Sequence, residues 1–553
     1  MNNISVLDKA RKSYKPKLPS VFTADSGIEL CSGKPAESIE DRDKVKALFP
    51  ETYGLPQITF KTGEKKPYKP MNVGVILSGG QAPGGHNVIA GLFDGLKACH
   101  PDAKLYGFLG GPSGLIENQY KELDSELIDL YRNTGGFDMI GSGRTKLEEK
   151  EQFETTYANC KKLDIRALVV IGGDDSNTNA AVLAEYYRQN KADLSVIGVP
   201  KTIDGDLKNE LIEISFGFDT ATKVYSELIG NIGRDARSAK KYWHIIKLMG
   251  RSASHIALEC ALRTQVNYAI ISEEVEKKEQ TLHDIVNDIA DVIAARAENG
   301  DNFGVIIIPE GLIEFIPEMK ALISELNEVI AKDHKKIDSL HDIDKKREFI
   351  GKKLEKKHSE LYLSLPKTIA EQLIMERDPH GNVQVSLIET DRLLVEMAGE
   401  RLEALRKEGK YNGNFKTHTH FFGYEGRCSF PSNFDADYTY SLGYTASILA
   451  MNRRSGYMSA VRDLCDTPGN WIPGGIPITQ MMNIERRHGK DKPVIKKALV
   501  DLEGKPFQTL LSYREKWAAG THYIYPGPIQ YFGPSEVCDT KTITLSLENK
   551  TKE

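Results

Sequence analysis

Five short apolar runs constrain this chain more than any other feature: Val73–Leu77, Leu168–Ile171, Val196–Val199, Ile245–Met249 and Gly304–Ile308. Each has strand length, leads into a turn, and is followed by a stretch with helical character. A strand that is apolar at successive positions, instead of alternate ones, has both faces buried. Interleaved with helices, such strands predict a parallel sheet covered on both sides. The fold class expected is α/β, a doubly wound architecture repeated in two domains.

Breaks in this pattern set the expected domain limits. Residues 1–70 mix Pro, Lys and short apolar pieces, as in Lys61–Pro70, and read as an extension on the surface with little regular structure. Residues 71–240 read as one α/β domain, and residues 241–311 with 406–490 as a second. Between the two pieces of the latter, Met319, Leu322, Ile323, Leu326, Val329 and Ile330 recur at helical spacing, so residues 312–405 are expected to form a helical insertion. The charged stretch Asp344–Lys357 reads as a solvated helical face. Residues 491–553 are expected to pack back on the domains and to fray over Glu548–Glu553.

Composition removes several function classes. The 553 residues carry 73 basic and 78 acidic side chains, a net charge of -5, which leaves no basic excess for nucleic acid. Seven cysteines, an odd number without a C-x-x-C spacing, indicate neither a disulfide framework nor a zinc site. Charges run through Met1–Ser20 where a signal peptide would be apolar, and the longest apolar runs, Ala167–Ile171 and Val305–Pro309, are too short to span a bilayer. A cytoplasmic protein with no nucleic-acid or membrane partner is expected.

In open α/β sheets, ligands gather outside the carboxyl ends of the strands, so the residues after each run decide the chemistry. Val73–Leu77 enters Ser78-Gly79-Gly80-Gln81-Ala82-Pro83-Gly84-Gly85-His86-Asn87, where glycines let the backbone approach a phosphate. This is neither a G-x-G-x-x-G nor a Walker pattern, and Lys104–Leu109 runs into Gly110-Gly111-Pro112 with no acidic end, which disfavours a dinucleotide. Taken alone, the loop fits a tight turn as well as a phosphate cradle.

The second run enters Gly172-Gly173-Asp174-Asp175-Ser176-Asn177. Paired acids at a helix start can cap it, or can hold Mg²⁺ together with phosphate oxygens. The third enters Pro200-Lys201-Thr202-Ile203-Asp204-Gly205-Asp206, which offers a cation in Lys201, a hydroxyl in Thr202 and a general base in Asp204. Arg251, just ahead of a helix expected from about Ser254, and Glu310 supply an anion contact and a carboxylate for sugar hydroxyls. Gly423-Tyr424-Glu425-Gly426-Arg427 adds a guanidinium suited to bidentate grip on phosphate. Together they form an inventory for phosphoryl transfer to a phosphorylated sugar.

In this order the blocks resemble the phosphofructokinase family, and within it the pyrophosphate-dependent long-form group. Gly79-Gly80, Gly172–Ser176, Pro200–Asp206, Met249-Gly250-Arg251, Pro309-Glu310-Gly311 and Gly423–Arg427 carry the resemblance. It implies two similar Rossmann-like domains with the active site in the cleft between them, residues 71–240 taking pyrophosphate and Mg²⁺ and the second domain fructose 6-phosphate. It implies Asp204 as the base at the sugar 1-hydroxyl, Thr202 as an orienting group, Lys201 beside the transferring phosphoryl group, and Asp174 as the Mg²⁺ ligand. Pyrophosphate would meet Gly79, Gly80, Arg144, Gly173, Asp175, Ser176 and Lys201. Fructose 6-phosphate would meet Thr202, Ile203, Asp204, Met249, Gly250, Arg251, Glu310, Tyr424, Glu425, Gly426 and Arg427. Lys241 and Tyr242 would reach it across a subunit boundary, which implies a homo-oligomer, with a homodimer favoured.

Two positions bear on the phosphoryl donor. ATP-dependent members of the family usually carry Gly where this chain has Asp175 and again where it has Lys201. At about 4 Å and an effective dielectric near 20, a carboxylate opposes a nucleotide phosphate by up to roughly 4 kcal/mol. The expected activity is therefore reversible transfer from pyrophosphate to fructose 6-phosphate, giving fructose 1,6-bisphosphate and phosphate. The rivals are an ATP-dependent phosphofructokinase, a non-catalytic regulatory subunit of the same fold, and a dinucleotide-binding protein. A regulatory subunit would have lost the base or the metal ligand, and Asp174, Lys201, Thr202 and Asp204 are all present.

Overall fold

Each continuous apolar run forms a strand in the computed structural model, which describes residues 4–65, 67–374, 388–487 and 490–549. In chain order come β1 (Gly27–Pro35), β2 (Pro56–Gly63), β3 (Asn72–Leu77), β4 (Lys104–Phe108), β5 (Tyr120–Leu123), β6 (Ile165–Gly172) and β7 (Ser195–Pro200). They are followed by β8 (Trp243–Leu248), β9 (Tyr268–Ala269), β10 (Gly304–Pro309) and β11 (Thr417–Phe422). Last are β12 (Tyr457–Arg462), β13 (Ile472–Pro477) and the antiparallel pair β14 (Met482–Arg487) and β15 (Lys490–Ile495). The chain divides into two units: Met1–Val224, Tyr424–Ala498 and Ile529–Glu553 form the first, and Tyr225–Gly423 with Leu499–Pro528 the second.

The first unit is built on a nine-stranded sheet among the described residues, in the order β1-β2-β13-β12-β7-β6-β3-β4-β5. Its interior, from β4 to β12, is parallel. Val73, Val75, Leu168, Val170, Val196 and Val199 are buried along it, as two-sided coverage requires. Helix Gly85–Cys99 packs on helix Asn433–Met451 at backbone contact distance. A Cβ on Gly91 would lie 2.1 Å from the Tyr440 carbonyl oxygen, and one on Gly443 would lie 2.0 Å from that of Val88. Only hydrogen fits at either crossing point.

The expectation of little regular structure over residues 1–70 is overturned. Helices Val6–Lys12, Ser20–Thr23 and Arg42–Leu48 lie there, and β1 and β2 extend the large sheet beyond β13. β1 is the marginal strand and buries only Gly27, so no apolar run announces it. The segment is also pinned from within. Arg11 is fully buried and donates to Asn433 Oδ1 at 2.9 Å and to the Pro431 carbonyl at 3.1 Å.

The second unit holds the parallel sheet β11-β8-β10-β9. The described part of residues 312–405 is helical, as expected, but it is not a body of its own: Met319, Leu322, Leu326, Leu393 and Leu394 share one core with Trp243, Ile245, Ile306 and Ile308. A buried pair, Lys247 to Asp391 at 3.0 Å, fixes helix Thr390–Lys407 to β8.

The expected boundaries change elsewhere too. Residues 406–490 do not stay together, because β12 pairs with β7, Tyr457 opposite Ile197, and carries everything from Tyr424 into the first unit. The limit expected at residue 240 falls instead inside helix Phe218–Ala239, at Val224. The C-terminal segment is shared, residues 499–528 belonging to the second unit. Glu548 closes a short helix, Ile543–Glu548, and residues 550–553 of the expected frayed tail lie outside the described residues.

Candidate active site

Three strand ends in the first unit bring the glycine-rich and acid-bearing motifs together. Beyond β3 the Ser78 N–H donates to the Ile171 carbonyl at 2.8 Å and the Gly79 N–H to the Gly143 carbonyl at 2.9 Å, so the ladder runs into the glycine turn. Gly79 has a φ of 87°, a left-handed conformation that favours glycine. The turn is held from both sides: Ser176 Oγ donates to Ser78 Oγ at 2.8 Å, and Ser142 Oγ to the Gly79 carbonyl at 3.0 Å.

Cations face this turn. A Cβ on Gly79 would sit 3.4 Å from Lys201 Nζ, and one on Gly80 3.2 Å from an Arg427 nitrogen and 3.8 Å from an Arg144 nitrogen. Arg427 also donates to Gln81 Oε1 and lies over the Tyr424 ring at 5.2 Å. Glycine at both positions keeps the turn open to three positive side chains, an arrangement suited to an anion.

Carboxylates also act on the charge of Lys201. Asp174 heads helix Asp174–Gln189, behind Gly173, whose carbonyl accepts from Asn177 Nδ2 at 2.9 Å. Thr202 Oγ1 accepts from the Asp204 N–H at 3.1 Å, and its hydroxyl also bonds the Asp206 carboxyl. It therefore fixes the loop that carries both acids. Lys201 and Asp206 are 7% and 6% exposed, with Ile203 buried between them in sequence. Burial pushes the Lys201 ammonium down to about 8, against the pull of Asp204, Asp174 and Asp206. Burial, then the neighbouring Asp204, pushes Asp206 up.

The Asp175 side chain is more exposed, at 55%, with Lys146 at 3.9 Å, and its charge also acts on Lys497. No group of three or more His, Cys, Asp or Glu side chains among the described residues is arranged to hold a metal alone. Mg²⁺ needs no such group, since one or two carboxylates and phosphate oxygens suffice. Asp174 has the right chemistry: an oxygen donor whose Oδ2 already faces a cation, Lys497 Nζ at 3.6 Å.

In the second unit, Met249, Gly250, Arg251 and Glu310 meet at the carboxyl ends of β8 and β10. The Gly250 N–H donates to Glu310 Oε2 at 3.2 Å, and a Cβ on Gly311 would lie 1.9 Å from the Arg251 carbonyl oxygen. Arg251 is half exposed, with Glu314 at 3.7 Å. Ser254 is the N-cap of helix His255–Thr264, as expected. Lys241 and Tyr242 are not with these residues. They precede β8, at its opposite end, roughly 20 Å away along the strand. There the Tyr242 ring meets that of His418 edge-on at 4.4 Å.

The family described as phosphofructokinase matches residues 72–361, more than half of the chain. The chain belongs to that family. Among its curated relatives, a protein named pyrophosphate–fructose 6-phosphate 1-phosphotransferase from Porphyromonas gingivalis is 58% identical over 98% of this chain and 99% of its own. The Entamoeba histolytica protein of that name is 51% identical over 99% and 100%. An Arabidopsis thaliana protein named as its subunit beta 2 is 50% identical over 98% and 94%. Among solved structures, the pyrophosphate-dependent phosphofructokinase of Marinobacter aquaeolei aligns with a TM-score of 0.53 over 81% of this chain and 92% of its own. At 16% identity that likeness speaks to the fold, two Rossmann-like α/β domains.

Beyond the family motifs, Lys497 was not visible as a site residue. It lies 3.6 Å from Asp174 Oδ2 and 4.0 Å from Asp206 Oδ2, and the Ala498 N–H donates to the Asp206 carbonyl at 2.7 Å. Burial alone would lower its pKa, but Asp174, Asp206, Asp175 and Asp204 together raise it. In sequence the only sign is a lysine pair between the apolar residues Val494-Ile495 and Ala498-Leu499-Val500, with nothing to tie it to residues three hundred positions earlier.

Proposed function

We propose that this chain transfers a phosphoryl group reversibly between pyrophosphate and the 1-hydroxyl of fructose 6-phosphate. The observation that carries the reading is the meeting of Lys201, Arg427 and Arg144 at Gly79-Gly80, with Asp174, Asp204 and Asp206 near enough to act on the Lys201 charge. An anion cradle and an acid group share one buried ammonium. The relatives' names add the donor and the acceptor.

The chain's residues then take these parts. Gly79, Gly80, Gly173 and Ser176 line the donor with backbone and hydroxyl groups and Arg144 adds charge, as does Arg427, which the family resemblance assigns to fructose 6-phosphate but which faces Gly80 here. Asp204 accepts the proton of the sugar 1-hydroxyl, whose oxygen forms the new bond to phosphorus as the bridging P–O bond of pyrophosphate breaks and phosphate leaves. Lys201 stabilises charge on the transferring group, help worth about 3–4 kcal/mol at such positions. Thr202 keeps Asp204 in place. Asp174 holds Mg²⁺, which when bound offsets negative charge on the phosphate oxygens. Met249, Gly250, Arg251 and Glu310 take the sugar phosphate, Glu310 with its carboxylate already oriented by Gly250.

Asp175 disfavours a nucleoside beyond the donor phosphates. Lys241 and Tyr242, at the far end of β8, serve a neighbouring subunit of a homo-oligomer, most simply a homodimer. The setting is the cytoplasm. Purified protein with fructose 6-phosphate and Mg²⁺, given pyrophosphate or ATP in parallel, tests the reading. Fructose 1,6-bisphosphate formed from pyrophosphate alone is the expected result, and formation from ATP alone would overturn it.

A further inference from the structure

The acid group of the first unit is balanced by two lysines of different origin. Lys201 belongs to the loop that carries Asp204 and Asp206, whereas Lys497 arrives from the distant segment after β15. That segment is fixed on the site itself: the Lys496 N–H donates to the Met481 carbonyl at 3.0 Å and the Ala498 N–H to the Asp206 carbonyl at 2.7 Å. Between these anchors the Lys497 ammonium is delivered to carboxylates from two strand ends, 3.6 Å from Asp174 and 4.0 Å from Asp206. Both distances are long for a charge-assisted hydrogen bond. They describe a cation that shares two acids at ion-pair range and is 36% exposed to solvent.

An ammonium at ion-pair range of two carboxylates competes for the hard oxygen donors a divalent cation would use. We propose that Lys497 is a built-in counter-ion that shares Asp174 with Mg²⁺, occupying the carboxylates while the donor site is vacant and turning to the phosphate oxygens when metal–pyrophosphate enters. This deepens the proposed function and takes the metal and the donor from it. The consequence is an ordering rule. Free metal has to displace an intramolecular cation, so it binds weakly alone, while metal that arrives on pyrophosphate brings the anion that accepts the displaced lysine. Lys497 is thus a positioning residue for the donor.

The test is a titration of the full chain with Mn²⁺ alone, without substrate, read by electron paramagnetic resonance. It compares the parent with Lys497→Met, which keeps the stem and loses the charge, and Lys497→Arg, which keeps the charge. Lys497→Met is expected to bind Mn²⁺ about five- to tenfold more tightly than the parent, as befits a partly exposed ion pair, and Lys497→Arg to stay within about twofold. In turnover with pyrophosphate, KM for the donor should rise at least about fivefold in Lys497→Met. If the methionine variant does not fold by circular dichroism, Lys497→Gln takes its place. Equal Mn²⁺ affinity in parent and variant, or no Mn²⁺ binding in either, overturns the proposal. Because Mn²⁺ binding is read without catalysis, a parent that fails to use pyrophosphate would count against the proposed function alone.

Discussion

A buried lysine with an ammonium near 8 makes donor use pH-dependent in a definite direction. The ordinary value is 10.5, so between about 8 and 10.5 the unfolded chain holds this proton and the folded one does not. Stability therefore gains from Lys201 as pH rises through that window, while the charge proposed to serve the phosphoryl group is lost. We expect kcat/KM for pyrophosphate to fall above pH about 8, and Lys201→Arg to remove that inflection even if its rate is lower. A profile for Lys201→Arg that still breaks at the same pH would assign the inflection elsewhere. Asp204→Ala should lower kcat by about 10²- to 10⁴-fold while fructose 6-phosphate binding, followed by calorimetry, survives. Near-normal turnover would remove Asp204 as the base. Asp175 is more exposed than a purely electrostatic block requires, and Lys146 nearby offsets it, so its effect on ATP lies well below the roughly 4 kcal/mol of a desolvated pair. Asp175→Gly should give measurable ATP use. If ATP use stays undetectable and pyrophosphate use unchanged, Asp175 has no part in donor choice.

At the scale of elements, what could be read from the sequence follows burial. β3, β6, β7 and β10 announce themselves because every position of their apolar runs is buried, whereas β1, at the sheet margin, mixes Cys, Ser, Gly, Lys and Pro and carries no such signal. Helix Asn433–Met451 escaped notice for the opposite reason. It is buried almost all round yet rich in hydroxyls, so it has no apolar stripe. Its serine and threonine hydroxyls bond inside the helix, Ser441 to the Asp437 carbonyl at 2.8 Å and Thr445 to that of Ser441 at 2.7 Å, while Tyr438 and Tyr440 donate to Ile214 and Asp94 outside it. Polar groups that bond their own backbone can be buried cheaply, which a hydropathy pattern does not record. The close crossing of this helix with Gly85–Cys99 yields a sharp prediction. Gly443→Ala should cost about 1–3 kcal/mol or more, since a methyl cannot enter against the Val88 carbonyl without parting the helices. Thermal unfolding that matches the parent would show the pair to be looser than described.

For the whole molecule, the motifs that converge at the candidate site were easier to read than the partition of the chain. Motifs such as Pro200–Asp206 are contiguous and carry their chemistry in plain order, but the partition of the chain depends on pairings between remote segments, β12 beside β7 and β2 beside β13. Lys497 stayed hidden for the same reason. The marginal strands yield a test at this scale: removing residues 1–64 strips β1 and β2 from the sheet and bares β13. The shortened protein should form soluble aggregates or precipitate when examined by sedimentation velocity, as an uncovered edge invites pairing between chains. A well-behaved particle with the parent's association state would show that the edge needs no cover. The three-part composition of the first unit also bears on biosynthesis. A ribosome emits β3, β4, β6 and β7 early, then the whole of β8 to β11, and only afterwards the β12 that joins β7. Throughout that interval the nascent chain carries a half-finished sheet with one open flank. Newly made copies therefore depend on chaperones, or on brisk translation, over the stretch between Pro200 and Tyr457.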